Sequence, residues 1–419
     1  MSKLIVSSRK NISGEVIIPS AKNVMLPLIS ACIMIEGKVT FLNVKKLLDI
    51  TVILEIIKYL GGDYYFVGDN LTVDCSKVYR YELPETLSKQ IRASIFLVGP
   101  LLSRFHRACF FYPGGCDIGS RPIDIHLDGF RKLGVEISSG DIVYCRCDKL
   151  LGNDIRLRYK SVGATLNIVM AAVLGEGRTT IRNSAKEPEI VCLIKFLKLC
   201  GAKIYGEGTS TIIVDGVKKL KSLNYSFKPI SDRIEVGTYM IMSLNVGGEL
   251  LIKNANFLNN IALYKKIQNN ACKITLDNDK IYIKASGVGK GLNYIKTAPY
   301  PFFPTDLQSQ ICAYATTLNG VTIVEEGVFE NRFKQLGELI KMGANITVKN
   351  NKAYIRGVDS LSGCNVTALD LRGGIAMVIA GLRAQGVTII NNAEVIDRGY
   401  YQIEKQLTSL GLDIVRSNL

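Results

Sequence analysis

The stretch 194-IKFLKLCGAKIYG-206 reads as the end of an amphipathic helix, a glycine, and the opening of a strand. Gly201 fits the position just beyond a helix C-terminus, where the backbone turns left-handed and a Cβ is penalised. The residues after it, 202-AKIYGEG-208, carry the period-two patterning of a half-buried strand. The same string recurs in 54-LEIIKYLGGDYYFV-67, 127-LDGFRKLGVEI-137, 336-LGELIKMGANITV-348 and 403-IEKQLTSLGLDIV-415. A degraded copy, 263-LYKKIQNNACKITL-276, puts Ala271 at the pivot. By subtraction, the pivots Gly61, Gly134, Gly201, Ala271, Gly343 and Gly411 stand 73, 67, 70, 72 and 68 residues apart. A second recurrent string, seen in 35-IEGKVTFLNV-44, 246-VGGELLIKNA-255 and 385-QGVTIINNA-393, reads as a turn followed by a strand.

Each unit is therefore about 70 residues of mixed β and α, too small to cover all its apolar surface alone. Six such units are too few and too long for the common open solenoids. Two groups of three predict an α/β (α+β) chain of two similar domains, with a ligand site favoured in the cleft between them.

Bulk properties narrow the function. The 419 residues are 47% hydrophobic, enough for more than one core. The start, MSKLIVSSRKNISG, has no apolar run suited to a signal peptide, and apolar runs such as 168-IVMAAVL-174 fall far short of the ~18 residues of a membrane span. A cytoplasmic location is the expectation. Eleven cysteines are scattered without metal-ligand spacing; Cys145-Arg146-Cys147 lacks a second pair, so no metal is expected. In a reducing compartment most of these thiols serve as small buried hydrophobes. The net charge of +15 suits nucleic acid or a small polyanion. The densest basic cluster is only 218-KKLK-221 and tryptophan is absent, which argues for anionic metabolites over nucleic acid. No Gly-rich phosphate loop of the nucleoside triphosphate or NAD type is present.

Several charged strings fall outside the repeat. In 19-PSAKNVMLPLI-29, Ser20 is placed to cap a helix whose first turn carries Lys22 and Asn23, an arrangement that suits an anion. Arg92 stands in the apolar stretch 90-QIRASIFLVGPLL-102 and needs an anionic partner. Glu187 and Glu189 suit a helix start, and Asp232 with Arg233 suits a local ion pair. The second half places Asp306, Arg332, Asp370 with Arg372, and Asp397 with Arg398 at loop-to-helix junctions, with Thr305 as the expected cap before Asp306. Finally, 113-PGGCDIGSRPIDIH-126 sets Cys116 after two glycines and before Arg121. A thiol beside an arginine is pushed towards thiolate, and a carboxylate among cations stays ionised, fit to accept a proton. Together these strings predict a cationic site with a few acids, suited to a substrate of several negative charges.

These residues carry a resemblance. The strings 20-SAKNVMLP-27, 91-IRASI-95, 113-PGGCDIGSRPIDIH-126, 161-SVGATLN-167, 187-EPEIV-191, 304-PTDLQSQ-310, 328-VFENRF-333 and 396-IDRGY-400 resemble the enolpyruvyl transferases that act on UDP-N-acetylglucosamine. The Gly-Gly-Cys loop followed by Gly-Ser-Arg-Pro is the most diagnostic of them. The resemblance runs nearly end to end. It implies two inside-out α/β barrel domains of three βαβαββ-like units each. Residues 1–21 with 231–419 would form one, and residues 22–230, carrying the Cys116 loop, the other.

It further implies transfer of the enolpyruvyl group from phosphoenolpyruvate to the sugar 3′-hydroxyl, with release of phosphate and no cofactor. Cys116 would be the general acid and the site of alkylation by fosfomycin, Asp306 the base, and Asp370 a second acid near the reacting centre. Lys22, Asn23, Arg121, Arg332, Arg372 and Arg398 would bind phosphoenolpyruvate. The UDP-sugar would lie on Arg92, Arg121, Pro122, Ile123, Asp124, Ile125, Ser161, Val162, Gly163, Asp306 and Val328. In one departure, the family often has a lysine two residues before Ser161, where this chain has Tyr159, with Lys160 adjacent. Competing readings are an enolpyruvylshikimate-phosphate synthase, a UDP-sugar-binding paralogue without catalysis, and a basic repeat protein that binds nucleic acid.

Overall fold

A computed structural model describes residues 2–8, 11–114, 119 and 122–418. The chain divides into two compact units: Met1–Pro19 with Ser231–Leu419, and Ser20–Gly115 with Arg121–Ile230.

All six pivots adopt the left-handed backbone that the sequence demands. Gly61, Gly134, Gly201, Gly343 and Gly411 have φ between 80° and 106°, and Ala271 reaches 55°. At five of the six, glycine meets the requirement without a Cβ penalty; Ala271 adopts it despite one.

In the first unit each repeat contributes a four-stranded sheet with a parallel pair at one side and an antiparallel pair at the other. Asn293–Lys296 runs parallel to Val321–Glu325, which pairs antiparallel with Lys352–Arg356 and through it with Asn345–Lys349. The last repeat borrows a strand from the start of the chain. Ser2–Ser7 lies between Val387–Asn391 and Ile414–Asn418, with Leu4 opposite Ile390 and Ile5 opposite Val415. Similarly, Ile12–Ile17 completes the sheet of Gly248–Lys253, with Leu251 opposite Glu15.

Strands alternate buried and exposed side chains, as in Lys280–Ala285, whereas three helices are buried all round. These are Arg233–Val246, Gln308–Ala315 and Leu371–Gly381, and the second packs on both others. Helices buried on every face belong in the interior, so they form the centre of this unit's core.

Among the described residues, the second unit varies the scheme with two three-stranded sheets, one of four strands and a parallel pair of Leu220–Lys221 with Ile35–Glu36. Its inner helices are Lys22–Ala31, Val98–Phe105 and Val162–Ala172, with Leu48–Tyr59, Asp124–Lys132 and Pro188–Leu199 flanking them. Phe41, Phe196 and Phe227 join its first and last repeats, with ring centroids 5.5 and 5.1 Å from that of Phe196. No described helix is long and apolar enough to cross a membrane.

Candidate active site

In the first unit three of the charged junctions converge, those of Asp306, Arg332 and Asp370 with Arg372, while Asp397 pairs with Arg416. Asp306 sits in the 3-10 turn Thr305–Leu307 and receives two guanidinium groups. Arg332 donates through Nη2 to Oδ1 at 2.8 Å, and Arg372 through Nη2 to Oδ2 at 3.0 Å. The two arginine side chains are only 4% and 6% exposed. Burial works against the Arg372 charge, but Asp306, Tyr400 and Asp232 outweigh it and hold its pKa up. Nε and Nη1 of Arg332 are buried and have no hydrogen-bond partner among the described residues. A buried guanidinium with idle N–H groups is costly unless an anion arrives to take them.

The cluster is braced from behind. Tyr400, fully buried, accepts from Arg372 Nη1 at 3.2 Å and shares a hydrogen bond with Thr238 at 2.8 Å. Gln310 donates to the Asp306 carbonyl at 2.9 Å. Asp370 caps the helix Leu371–Gly381 by accepting from the backbone N–H groups of Arg372 and Gly373 at 2.8 and 3.1 Å. The residue expected to act as a second acid thus also fixes the backbone from which Arg372 reaches Asp306. Arg398 ends the 3-10 turn Ala393–Arg398 and is half-buried.

Two sequence-based assignments change here. Thr305 makes no cap hydrogen bond; its hydroxyl donates to Glu326 Oε2 at 2.9 Å. Asp232, expected in an ion pair with Arg233, instead caps Arg233–Val246 by accepting from Ile234 and Glu235 N–H. Glu326 was not foreseen. Its other oxygen takes the Val328 and Phe329 N–H groups at 2.8 and 3.1 Å, tying the Asp306 turn to the Val328 loop. The signal lay in 321-VTIVEE-326, where a second acid follows the strand.

In the second unit Lys22 opens the helix Lys22–Ala31, Asn23 follows it, and Lys22 Nζ donates to Asp49 Oδ2 at 2.9 Å. Ser20 is no cap; its hydroxyl donates to the Leu42 carbonyl and Ala21 takes the cap position. Glu187 and Glu189 do lie at the start of a helix, Pro188–Leu199.

Arg92 begins the 3-10 turn Arg92–Leu97. Pro122 is exposed and Ile123 buried; Asp124 starts the helix Asp124–Lys132, accepts from the Ile125 N–H and pairs with Arg158. Ser161 caps Val162–Ala172 by accepting from Ala164 N–H at 3.2 Å, which sets Val162 and Gly163 at a helix N-terminus, a ready anion site. Beside these segments lies a cavity of about 320 Å³, floored by Ile125, Gly129 and Leu157 and rimmed by Lys132, Arg156 and Arg158. Those rim cations were missed because they sit in ordinary repeat strands and helix ends, where a charge usually means only a solvated face.

Cys116 and Arg121 lie outside the described residues. The ten cysteines that are described are free, and the pKa of each is raised, burial being the largest cause in every case. None of these ten is therefore poised as a thiolate. Among the described residues no group of three His, Cys, Asp or Glu is placed to hold a metal ion.

Known proteins match the chain throughout. The family profile described as EPSP synthase (3-phosphoshikimate 1-carboxyvinyltransferase) matches residues 6–407. A UDP-N-acetylglucosamine 1-carboxyvinyltransferase 2 of Caldanaerobacter subterraneus is 45% identical over 417 residues, which cover 99% of this chain and 100% of that one. A UDP-N-acetylglucosamine 1-carboxyvinyltransferase of Finegoldia magna is 43% identical over 421 residues, covering 99% of each. Among solved structures, the enolpyruvyl transferase NikO from Streptomyces tendae superposes with a TM-score of 0.88 at 22% identity, over 100% of this chain and 99% of that one. An EPSP synthase from Acinetobacter baumannii reaches 0.77 at 17% identity over the whole of both chains. At those identities the two structures speak for the fold alone, but the profile and the full-length relatives are decisive: the chain belongs to the family of enolpyruvyl (1-carboxyvinyl) transferases.

Proposed function

We propose that this transferase moves the enolpyruvyl group of phosphoenolpyruvate to the 3′-hydroxyl of UDP-N-acetylglucosamine and releases phosphate. The observation that carries the reading is the Asp306 carboxylate between two buried guanidinium groups, with Arg332 N–H groups left over for an anion. Such a site can bind a small polyanion and accept a proton in the same place. The choice of sugar acceptor follows the relatives at 45% and 43% identity, whose names specify it.

On this reading Cys116 protonates the methylene carbon of phosphoenolpyruvate, and the neighbouring carbon becomes oxocarbenium-like. Asp306 takes the proton of the sugar 3′-hydroxyl as its oxygen bonds to that carbon, giving a tetrahedral ketal. Loss of a proton from the new methyl group and cleavage of the bond to phosphate restore the double bond. Lys22, Asn23, Arg121, Arg332, Arg372 and Arg398 hold the phosphoenolpyruvate charges, and Asp370 stands near the reacting centre. Arg92, Arg121 to Ile125, Ser161 to Gly163 and Val328 hold the nucleotide sugar. Acid–base assistance of this kind is worth ~10²–10⁴-fold, and fixing both anions together adds an entropic gain.

The reading takes each unit as an inside-out barrel of three repeats and draws on both for the chemistry. It places the protein in the cytoplasm, at the first committed step of peptidoglycan synthesis, with fosfomycin as a covalent inhibitor at Cys116. The test is phosphate release from phosphoenolpyruvate with either UDP-N-acetylglucosamine or shikimate 3-phosphate as acceptor. Release only with the nucleotide sugar supports the proposal. Release with shikimate phosphate replaces it by the synthase activity, and binding of the nucleotide sugar without release leaves a non-catalytic paralogue.

A further inference from the structure

Asn167 occupies the middle of the second unit, fully buried in the helix Val162–Ala172. Its side chain has three partners on three other elements, Val98–Phe105, Arg92–Leu97 and Asp124–Lys132. Gly99 N–H donates to Oδ1 at 2.8 Å, Nδ2 donates to the Ile95 carbonyl at 2.7 Å, and Nδ2 also lies 3.1 Å from His126 Nδ1. A backbone N–H can only donate and a carbonyl can only accept, so Gly99 and Ile95 fix which end of the amide is which. The second hydrogen on Nδ2 then faces His126 Nδ1, which must be the acceptor. That leaves the ring proton on Nε2.

The packing around this amide leaves little freedom. A Cβ on Gly99 would lie 2.4 Å from the Asn167 carbonyl oxygen, and one on Gly163 would lie 3.1 Å from the His126 ring. His126 is itself only 6% exposed, and burial together with the Arg92 charge lowers its pKa to about 3, which keeps the ring neutral.

The elements tied by this amide are the ones that open at Arg92, at Asp124 and at Val162. We propose that Asn167 is a positioning residue for the nucleotide sugar: it locks His126 as the Nε2–H tautomer and so sets the mutual placement of Arg92, residues 122–125 and residues 161–163. The inference rests on the reading of those three segments as the UDP-sugar site. It predicts a larger effect on the nucleotide sugar than on phosphoenolpyruvate, because Arg121 alone of the residues assigned to phosphoenolpyruvate adjoins these segments in sequence, and Lys22, Asn23 and the first-unit arginines make none of these hydrogen bonds.

Steady-state kinetics on Asn167→Ala and His126→Leu test it. Each removes one side of the amide–imidazole contact, and each should raise KM for UDP-N-acetylglucosamine about tenfold, the worth of one or two buried hydrogen bonds. The kcat and the KM for phosphoenolpyruvate should stay close to native. His126→Asn, whose side-chain oxygen can replace Nδ1 as acceptor, should restore the UDP-sugar KM. An unchanged UDP-sugar KM in both Asn167→Ala and His126→Leu, or equal losses for both substrates, overturns the proposal.

Imidazole ¹⁵N spectra of native protein give a readout free of turnover, since the chain has two histidines. His126 should appear as neutral Nε2–H at pH 6 and stay so at pH 5. An Nδ1–H or protonated ring there also overturns the proposal. Should Asn167→Ala fail to fold, the His126 pair and the spectra decide. A native protein with no activity on the nucleotide sugar refutes the function proposed above, whereas the tautomer result still judges the geometry.

Discussion

Arg372 reaches Asp306 Oδ2 at 3.0 Å from a helix whose cap, Asp370, holds the Arg372 backbone N–H at 2.8 Å. The orientation of the candidate base is therefore built into the start of one buried helix. Asp306→Ala should keep UDP-sugar binding, measured by calorimetry, while turnover falls by ~10²–10⁴-fold. Asp306→Asn offers the guanidinium groups an oxygen but cannot take the proton, and should be nearly as slow. Turnover at the native rate in either variant removes Asp306 from the role of base.

The ten described cysteines have their thiols pushed away from ionisation by burial, so none of them competes with Cys116 for the role proposed for it. Fosfomycin should therefore add once per chain, at Cys116, and abolish activity, as read by peptide mass spectrometry after incubation. Cys116→Ser should lose most of its transferase activity and resist the adduct. An adduct on another cysteine, or none, would count against the assignment.

Much of this was legible in the chain because the repeat is a local rule. A helix that stops at glycine and turns into a strand needs the left-handed backbone, and all six pivots have it, Ala271 included. The junctions that brought Asp306, Arg332 and Arg372 together were legible as charges at helix starts. What was not legible was which partner each polar group takes. Thr305 and Ser20 look like caps, yet their hydroxyls go to Glu326 and to the Leu42 carbonyl, on chain segments some 20 residues away. Asp232 looks like an ion-pair partner of Arg233 and is a cap, and Asp370, expected as a second acid, is a cap as well. Asn167, in the apolar run 161-SVGATLNIVMAAV-173, gave no sign of its partners 41 and 72 residues off. Sequence spacing encodes local hydrogen bonds well and distant ones hardly at all.

The two roles assigned to Asp370 can be separated. Asparagine caps helices about as well as aspartate, and alanine does not. Asp370→Asn should melt within a degree or two of native, so any loss of turnover reports the missing charge. Asp370→Ala should lose in addition about 1 kcal/mol of stability. Equal turnover in native and Asp370→Asn protein would confine Asp370 to the cap.

His126 gives the protein an acid-side stability slope with a definite sign. Its folded pKa is lowered from 6.5 to about 3, by burial first and by Arg92 second. Between those values the unfolded chain binds a proton that the folded chain does not, so stability is full above pH 6.5 and falls as the pH drops towards 3. In the middle of that window the contribution is about 1.4 kcal/mol per pH unit. Urea denaturation of native protein and of His126→Asn, run from pH 7 to pH 4, isolates it. The variant keeps the acceptor for Asn167 but has no group to titrate, so its curve should be flatter than native by about that slope. Parallel curves for the two proteins would show that His126 already binds its proton in the folded state, which the hydrogen bond from Asn167 Nδ2 at 3.1 Å forbids.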